Sequence, residues 1–554
     1  MCINLPFLLL ATAIYISPVS NAQIGTHNVV DFGSVGDGKT LNTKAIQSAI
    51  DVCHKAGGGT VYFPAGRFLS GTLYIKSNTR LLLDAGAVLL GSTNLDDYPQ
   101  TIPDYRSNSD NYTERSLIYA EKAENIAIVG KGILDGQGEL FTKEQLPFKN
   151  RPYMLRIIEC KNVTIRDVTF QNSPMWVQHY LACENVVIDG ITIKSRRANQ
   201  NNDGIDIDSC DKVRILNCFI DAEDDAICLK ATSNRPCKNV TVTNCVLTSH
   251  CCAFKCGTDS NGGFQDITVT NCTIFDTRNS GIALELVDGG EFNRISISNI
   301  TMTDVNNPIF IRLGNRARPW LAKSQQTSSS NVEFGQGLKK PGIGSMQNII
   351  ISNIQATGAG MFNERDPLPI HRESHDPRIG CSITGLPGYS VKNVTLENIR
   401  IAFAGGGSIE DYKRDIPENP KGTPTYQMLG ITPAYGFYCR HVQNIRFYNI
   451  DLAFEKNDYR PAVVFDDVQN LTISDLSAQV SKNTPALIDF NNVKNAFIQG
   501  CKPDENTANF MHVRGSESSR ISVINNDLST VHSICSTAKE INKKCVFIKY
   551  NRTK

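Results

Sequence analysis

Tryptophan occurs twice and histidine nine times in 554 residues, and net charge is almost absent. Fifty-six Lys and Arg against 55 Asp and Glu leave a formal charge of +1. A chain so balanced has no bulk electrostatic attraction for nucleic acid or an anionic membrane, so a polyanionic partner must be held by a local cluster of cations. The compositional extremes of disordered, collagen-like or multi-span membrane chains are missing too: 41% of residues are hydrophobic and 20% charged, as in globular proteins. Beyond the N-terminus no run approaches the ~20 apolar residues of a membrane span. No CxxC pair with a matching second pair occurs. Cys251, Cys252 and Cys256 are spaced for a soft metal, but no neighbouring run offers a convincing fourth ligand, so no metal is expected.

Charge is absent altogether from residues 1–22, and residues 5–16 are almost wholly apolar. Ser20 and Ala22 are small residues at the −3 and −1 positions of a cleavage site. A signal peptide over 1–22 is expected, although its n-region carries no basic residue, and the mature chain is expected to be exported, periplasmic or extracellular. Cysteine is abundant for an exported chain: 18, or 17 without Cys2, an odd number that leaves at least one unpaired. Disulfide frameworks suit small secreted domains, so these cysteines read as small buried apolar side chains.

Length alone suggests three or four domains, but a repeat overrides that prior. The pattern of a polar residue followed by alternating apolar residues reads CKNVTIRDV from Cys160, CENVVIDGI from Cys183, CDKVRILNC from Cys210 and CKNVTVTNC from Cys237. It returns as FQDITVTNC, FNRISISNI, MQNIIISNI, VKNVTLENI, VQNIRFYNI, VQNLTISDL and VKNAFIQGC. Val163, Val186, Val213, Val240, Ile267 and Ile295 are 23, 27, 27, 27 and 28 residues apart. Period-two alternation means strands, and a fixed spacing in the twenties means a stacked solenoid. The Leu-x-x-Leu-x-Leu frame of leucine-rich repeats is absent. The expected fold is therefore all-β, a right-handed parallel β-helix, with corner Asn and Cys stacked in ladders. The sequons at Asn162 and Asn239 read as ladder positions. Apolar residues at Ala45, Ile46, Ala49, Ile50 and Cys53 have helical spacing, and this helix is expected to cap the N-terminal end. The β-helix is placed over residues 23–500. Loop insertions are expected around 315–345 and 405–432, where long loops build binding faces, and residues 501–554 are set apart as a C-terminal extension or cap.

Carboxylates cluster in Asn201-Asn202-Asp203-Gly204-Ile205-Asp206-Ile207-Asp208 and again in Glu223-Asp224-Asp225. Asp203 and Asp224 are 21 residues apart, slightly less than one coil, so they can meet on adjacent coils. Repulsion and burial raise at least one pKa in such a group, giving an acid and a base of the kind that hydrolyses a glycosidic bond. From spacing alone a Ca²⁺ site or a solvated turn remains open.

These residues resemble the polygalacturonase family of pectin hydrolases, glycoside hydrolase family 28, in its bacterial branch. Asn201-Asn202-Asp203-Gly204-Ile205-Asp206 is similar to its Asn-Thr-Asp-Gly-x-Asp motif, and Asp224-Asp225 to its paired Asp. Asp31-Phe32-Gly33, Gly36-Asp37-Gly38, Ala45-Ile46-Gln47, Gly57-Gly58-Gly59-Thr60 and Ser173-Pro174-Met175-Trp176 with His179 match further segments. The resemblance implies a right-handed parallel β-helix and inverting hydrolysis without metal or organic cofactor. Asp224 would be the general acid, and Asp203 and Asp225 the carboxylates that position and deprotonate water. Inversion requires ~6.5–9.5 Å between the carboxyl groups.

Two family motifs are altered. In Ser249-His250-Cys251-Cys252, counting back from Gly257 places the family histidine nearer Cys251 than His250. His250 is thus a candidate helper and Lys255 a candidate ligand of the sugar or its carboxylate. Gly281-Ile282-Ala283-Leu284-Glu285 carries Ala and Glu where Gly-Ile-Arg-x-Lys would hold a galacturonate carboxylate. Glu285 is expected to accept from the hydroxyls of a neutral sugar past the scissile bond, as in rhamnogalacturonan, unless Arg312, Arg316, Arg318, Arg440 or His441 supply cations from other coils. Asn201, His250, Lys255, Glu285, Arg312 and Arg316 are the candidate substrate-binding residues. The expected partner is a pectic polysaccharide, bound by a monomer. The alternatives are hydrolysis of homogalacturonan, a β-helix lyase and a non-catalytic carbohydrate-binding β-helix.

Overall fold

Period-two alternation in the sequence becomes strands that pair in parallel with the equivalent strand of the next coil. The computed structural model describes residues 25–107, 113–141, 150–195, 200–320, 340–361 and 375–553. The expected signal peptide and most of the 315–345 insertion lie outside the described residues. Three successive strands form each coil, for example Lys161–Arg166, Thr169–Gln171 and Gln178–Leu181, and each stacks on its counterpart one coil on. The fold is a right-handed parallel β-helix. One inward ladder runs Tyr180, Ile207, Leu229, Cys256, Leu284, Ile311 and Ile383, all sealed from solvent. The outward positions one residue away are His179, Asp206, Cys228, Lys255, Ala283 and Phe310. Polar side chains on this outward ladder are what carry the site.

Corners explain the asparagines. Asn125, Asn162 and Asn185 have φ of 57°, 55° and 57°, a left-handed conformation that Asn tolerates better than most residues. Each side-chain amide donates to the carbonyl of the Asn one coil earlier, at 2.9 Å from Asn162 to Asn125 and 2.7 Å from Asn185 to Asn162. A second stack joins Asn348, Asn393, Asn444, Asn470 and Asn495 at 2.8 Å per step. Cysteines fill other corners: the Cys183 N–H donates to the Cys210 sulfur at 3.2 Å. Among the described residues all seventeen cysteines are free thiols, fourteen of them buried.

The helix Thr43–Lys55 closes the N-terminal end and buries Ile46, Ala49, Ile50 and Cys53 against the first coil. At the other end the solenoid does not stop at residue 500. Asn509–Arg514, Ser519–Ile524, Ser533–Thr537 and Val546–Lys549 stack in parallel register on the preceding strands, so the segment set apart as an extension contributes further coils. The 405–432 insertion folds back onto the barrel. Its Tyr426 and Ile431 pack with Ile379 over Ala283 and Phe310.

Candidate active site

Two stacked turns bring the acids together. The Gly204 N–H donates to the Asp225 carbonyl at 2.8 Å, and the Val177 N–H donates to the Asp203 carbonyl at 2.8 Å, so the turns of three coils lie in register. Gly204 is required by this approach: a Cβ there would lie 2.6 Å from the Ala226 carbonyl oxygen. Asp203, Asp224 and Asp225 each place one carboxylate oxygen within 4.8 Å of the others. This is a distance between nearest oxygens, not between the carboxyl groups as wholes, to which the ~6.5–9.5 Å of an inverting pair refers.

Two lysines, Lys230 buried and Lys255 partly buried, stand beside the acids. Lys230 Nζ lies 3.4 Å from Asp203 Oδ2 and 3.2 Å from Asp206 Oδ1, and 4.6 Å above the Trp176 ring. Lys255 Nζ lies 3.0 Å from Asp225 Oδ2, and the Cys252 N–H donates to Asp225 Oδ1 at 3.1 Å. Burial, with Asp206 and Asp224 beside it, pushes the Asp203 carboxyl well above its ordinary range. Burial also raises Asp206, to about 7, despite the opposing Lys230. For Asp225 burial works in the same direction, but Lys255 and Lys230 outweigh it and hold the carboxyl below its usual range. One cleft thus holds a carboxyl that favours its proton next to one that favours ionisation, the separation that acid–base chemistry needs.

The cleft, of about 240 Å³, is lined by Asn201, Asp203, Asp224, Asp225, Lys255 and Arg316 among the residues expected from the sequence. Trp176, Lys230, Thr258, Asp259, Arg318 and Thr423 complete it. Arg316 is tied to Asp259 at 2.7 Å and to Asp288, whereas the Arg318 guanidinium, 3.9 Å from Asp259, keeps 49% of its side chain exposed.

Three expected ligands do not line the cleft. Glu285 is 1% exposed and accepts from Thr258 Oγ1 at 3.1 Å, so it lies behind the wall of the cleft; burial raises it to about 7 although Lys255 opposes this. Arg312 is 1% exposed and donates to Thr384 Oγ1 and the Gly385 carbonyl, both at 3.2 Å, and to the carbonyls of Glu418 and Asn419. It anchors the 405–432 insertion and does not line the cleft. His250 is buried at its turn, and the residues beside Asp225 are Cys251 and Cys252. Arg440 and His441 are likewise engaged by Glu418, at 2.5 and 3.1 Å. Sequence reasoning missed Lys230, Asp259 and Thr423. Alternation along Ile227–Ala231 was the available signal for Lys230, since it places Cys228 and Lys230 on the outward face with Asp206.

Known proteins resemble this chain in sequence and in fold. The sequence profile of glycosyl hydrolases family 28 matches residues 53–333. A probable polygalacturonase of Vitis vinifera is 37% identical over 216 residues, which cover 37% of this chain and 44% of the relative. An exo-poly-alpha-D-galacturonosidase of Dickeya chrysanthemi is 31% identical over 249 residues, covering 36% of this chain and 41% of the relative. The matched region therefore spans less than half of either relative's length. The family 28 exopolygalacturonase of Yersinia enterocolitica superposes with a TM-score of 0.55 at 22% identity, covering 85% of this chain and 78% of that one. An exopolygalacturonase of Thermotoga maritima gives 0.53 at 22% identity over 68% and 87% of the two chains. At such identity the two structures speak to the fold alone, and they share it. With the profile matching half of its length across the acidic motifs, the chain belongs to glycosyl hydrolases family 28.

Proposed function

We propose that the protein hydrolyses α-linked galacturonosyl bonds of a pectic polysaccharide. The observation that carries this reading is the cleft in which Asp203, Asp224 and Asp225 converge within 4.8 Å under two lysines. Asp224, on the rim and less buried than its neighbours, gives its proton to the glycosidic oxygen as the C1–O bond breaks. Water attacks C1 from the opposite face and loses a proton to a neighbouring carboxylate, which inverts the anomeric centre. Polymer cleavage fits an exported enzyme, and the apolar N-terminal run is read as the export signal; the mature N-terminus is expected at Gln23, which N-terminal sequencing checks.

Past the scissile bond we favour a neutral sugar, as in rhamnogalacturonan. Ala283 offers no cation, and it is roofed by Phe310, Tyr426 and Ile431. A second reading, homogalacturonan, is favoured by one observation: Arg318 presents a half-exposed guanidinium to the cleft. Hydrolysis rates on homogalacturonan and rhamnogalacturonan oligomers separate the two. Asp224→Asn is expected to lose about 10³-fold in kcat, since a proton donor contributes ~10²–10⁴. Full activity in that variant, or chelator-sensitive release of unsaturated products as from a lyase, would overturn the proposal.

A further inference from the structure

A second groove, of about 200 Å³, lies on another side of the solenoid and shares no residue with the cleft of the acids. The outward ladder of the cleft continues through Phe310 and Ser382 to Tyr438, and the chain then turns at His441, with φ of 54°. The groove is on the face beyond that turn. One flank is the asparagine stack Asn393, Asn444, Asn470 and Asn495. Each amide spends one N–H and one lone pair on its neighbours in the stack, and its second N–H and second lone pair remain for a ligand. The next corner position is Arg520, exposed and with φ of 55°.

The floor follows a simple alternation. Arg446, Thr472 and Phe497 are register partners on three successive coils, followed by Ser522 and Phe547 on the next two. Long side chains therefore stand on every second coil, with a short hydroxyl residue between them. Coils stack ~4.8 Å apart, so the step from Arg446 to Phe497 is about 10 Å. That is the advance of two pyranose rings in an extended polysaccharide. Among the described residues neither Arg446 nor Arg520 has a hydrogen-bond or ion-pair partner, whereas the nearby Lys494 is paired with Glu517 at 2.9 Å.

We infer that this groove is a non-catalytic binding site for the uronate chain of a pectic polysaccharide, running along the solenoid axis. Arg446 meets a carboxylate, Phe497 covers the apolar C–H face of a ring two units on, and the asparagine amides take hydroxyls. The choice of ligand rests on the hydrolase reading above. Each contact is exposed and weak by itself. On a polymer held at the cleft as well, the two sites act at high effective concentration, and the groove keeps the chain near the acids between cleavages.

Affinity electrophoresis of the full chain carrying Asp224→Asn, in gels containing polygalacturonate, tests this with turnover blocked. Adding Arg446→Gln and Phe497→Ala is expected to weaken retardation about threefold, the scale of an exposed charge contact. In the otherwise unaltered chain the same two changes should lower kcat/KM on polygalacturonate by a similar factor. They should leave the rate on trigalacturonate unchanged, since a trimer in the cleft does not reach the other face. Arg446→Gln alone alters an exposed, unpaired side chain and should show a smaller loss of the same kind, which serves if the double variant fails to fold. Unchanged retardation would overturn the inference, and so would equal losses on polymer and trimer. Retardation by neutral galactan that depends equally on Arg446 would overturn the uronate assignment. A wild-type protein inactive on every pectic substrate, yet retarded through Arg446 and Phe497, would sink the hydrolase reading and leave the groove standing.

Discussion

Ala283 and Phe310 are register partners on adjacent coils, and both are sealed from solvent beneath Tyr426, Ile379 and Ile431. The position where the family resemblance expects an arginine therefore opens onto an apolar cluster instead of a cleft. The double change Ala283→Arg with Glu285→Lys, which the sequence suggests as a way to restore a cation pair, forces a long charged side chain into that cluster. Overpacking costs about 1–3 kcal/mol, and an uncompensated buried charge adds to it. The melting temperature of this variant is expected to fall, with no gain in kcat/KM on homogalacturonan. An undiminished melting temperature with faster homogalacturonan hydrolysis would contradict this packing.

Arg318 is the cleft cation with room to meet a carboxylate. Lys230, Lys255 and Arg316 are side chains 8%, 13% and 9% exposed and paired with protein carboxylates, against 49% for Arg318. Its backbone is fixed, the N–H donating to Asp288 Oδ1 at 2.9 Å and the carbonyl accepting from Asn261 at 2.6 Å. Arg318→Gln is expected to raise KM on de-esterified galacturonan about tenfold with little change in kcat, the low end of a charge-assisted contact. Methyl-esterified oligomers should be barely affected. Steady-state kinetics on both substrates check this, and an equal effect on the two would remove Arg318 from carboxylate binding.

Glu285 ties stability to pH. Burial raises its carboxyl from 4.5 to about 7, so the folded state keeps a proton that the unfolded chain releases. Its contribution is fully present below about 4.5 and is lost as pH rises through about 7. Asp206, raised from 3.8 to about 7, acts in the same direction. Glu285→Gln removes one of these groups, so the variant should gain on wild type between pH 4.5 and 7, by at most about 3 kcal/mol, and hold that gain above. Melting temperatures of both proteins across that range give the comparison; a gap independent of pH would show that Glu285 is ionised throughout.

The solenoid was legible because alternation and a period near 27 residues are written in most coils, and the meeting of Asp203 with Asp224 followed from their 21-residue separation. What failed was counting across irregularities. The ladder slips between Leu229 and Ala231, where the opposing strand gains residues and pairs Cys256 and then Ser260. Beyond such a slip an alternating count no longer says which side chain meets which neighbour, and Glu285 ends behind Thr258 instead of at the cleft. Arg312 lies away from the cleft for a different reason. Its partners Glu418 and Asn419 lie more than a hundred residues away on an inserted loop, and no local pattern announces that contact.

The stereochemical outcome tests the single-displacement reading of this cleft. The nearest carboxylate oxygens of Asp203, Asp224 and Asp225 lie within 4.8 Å of one another. A retaining nucleophile must turn an ionised oxygen on C1 and carry the sugar as an ester. Asp225 is held at both oxygens, by Lys255 and by the Cys252 N–H, and Asp203 is displaced toward its neutral form. Asp203 in its neutral form is a poor nucleophile, and the two carboxyls can hold a water between them. The first product released from an α-linked oligomer is therefore expected to be the β anomer, observed by proton NMR before mutarotation. An α product would identify Asp203 or Asp225 as a nucleophile. It would also predict a trapped glycosyl-enzyme detectable by mass spectrometry, and single displacement would then be abandoned for this cleft.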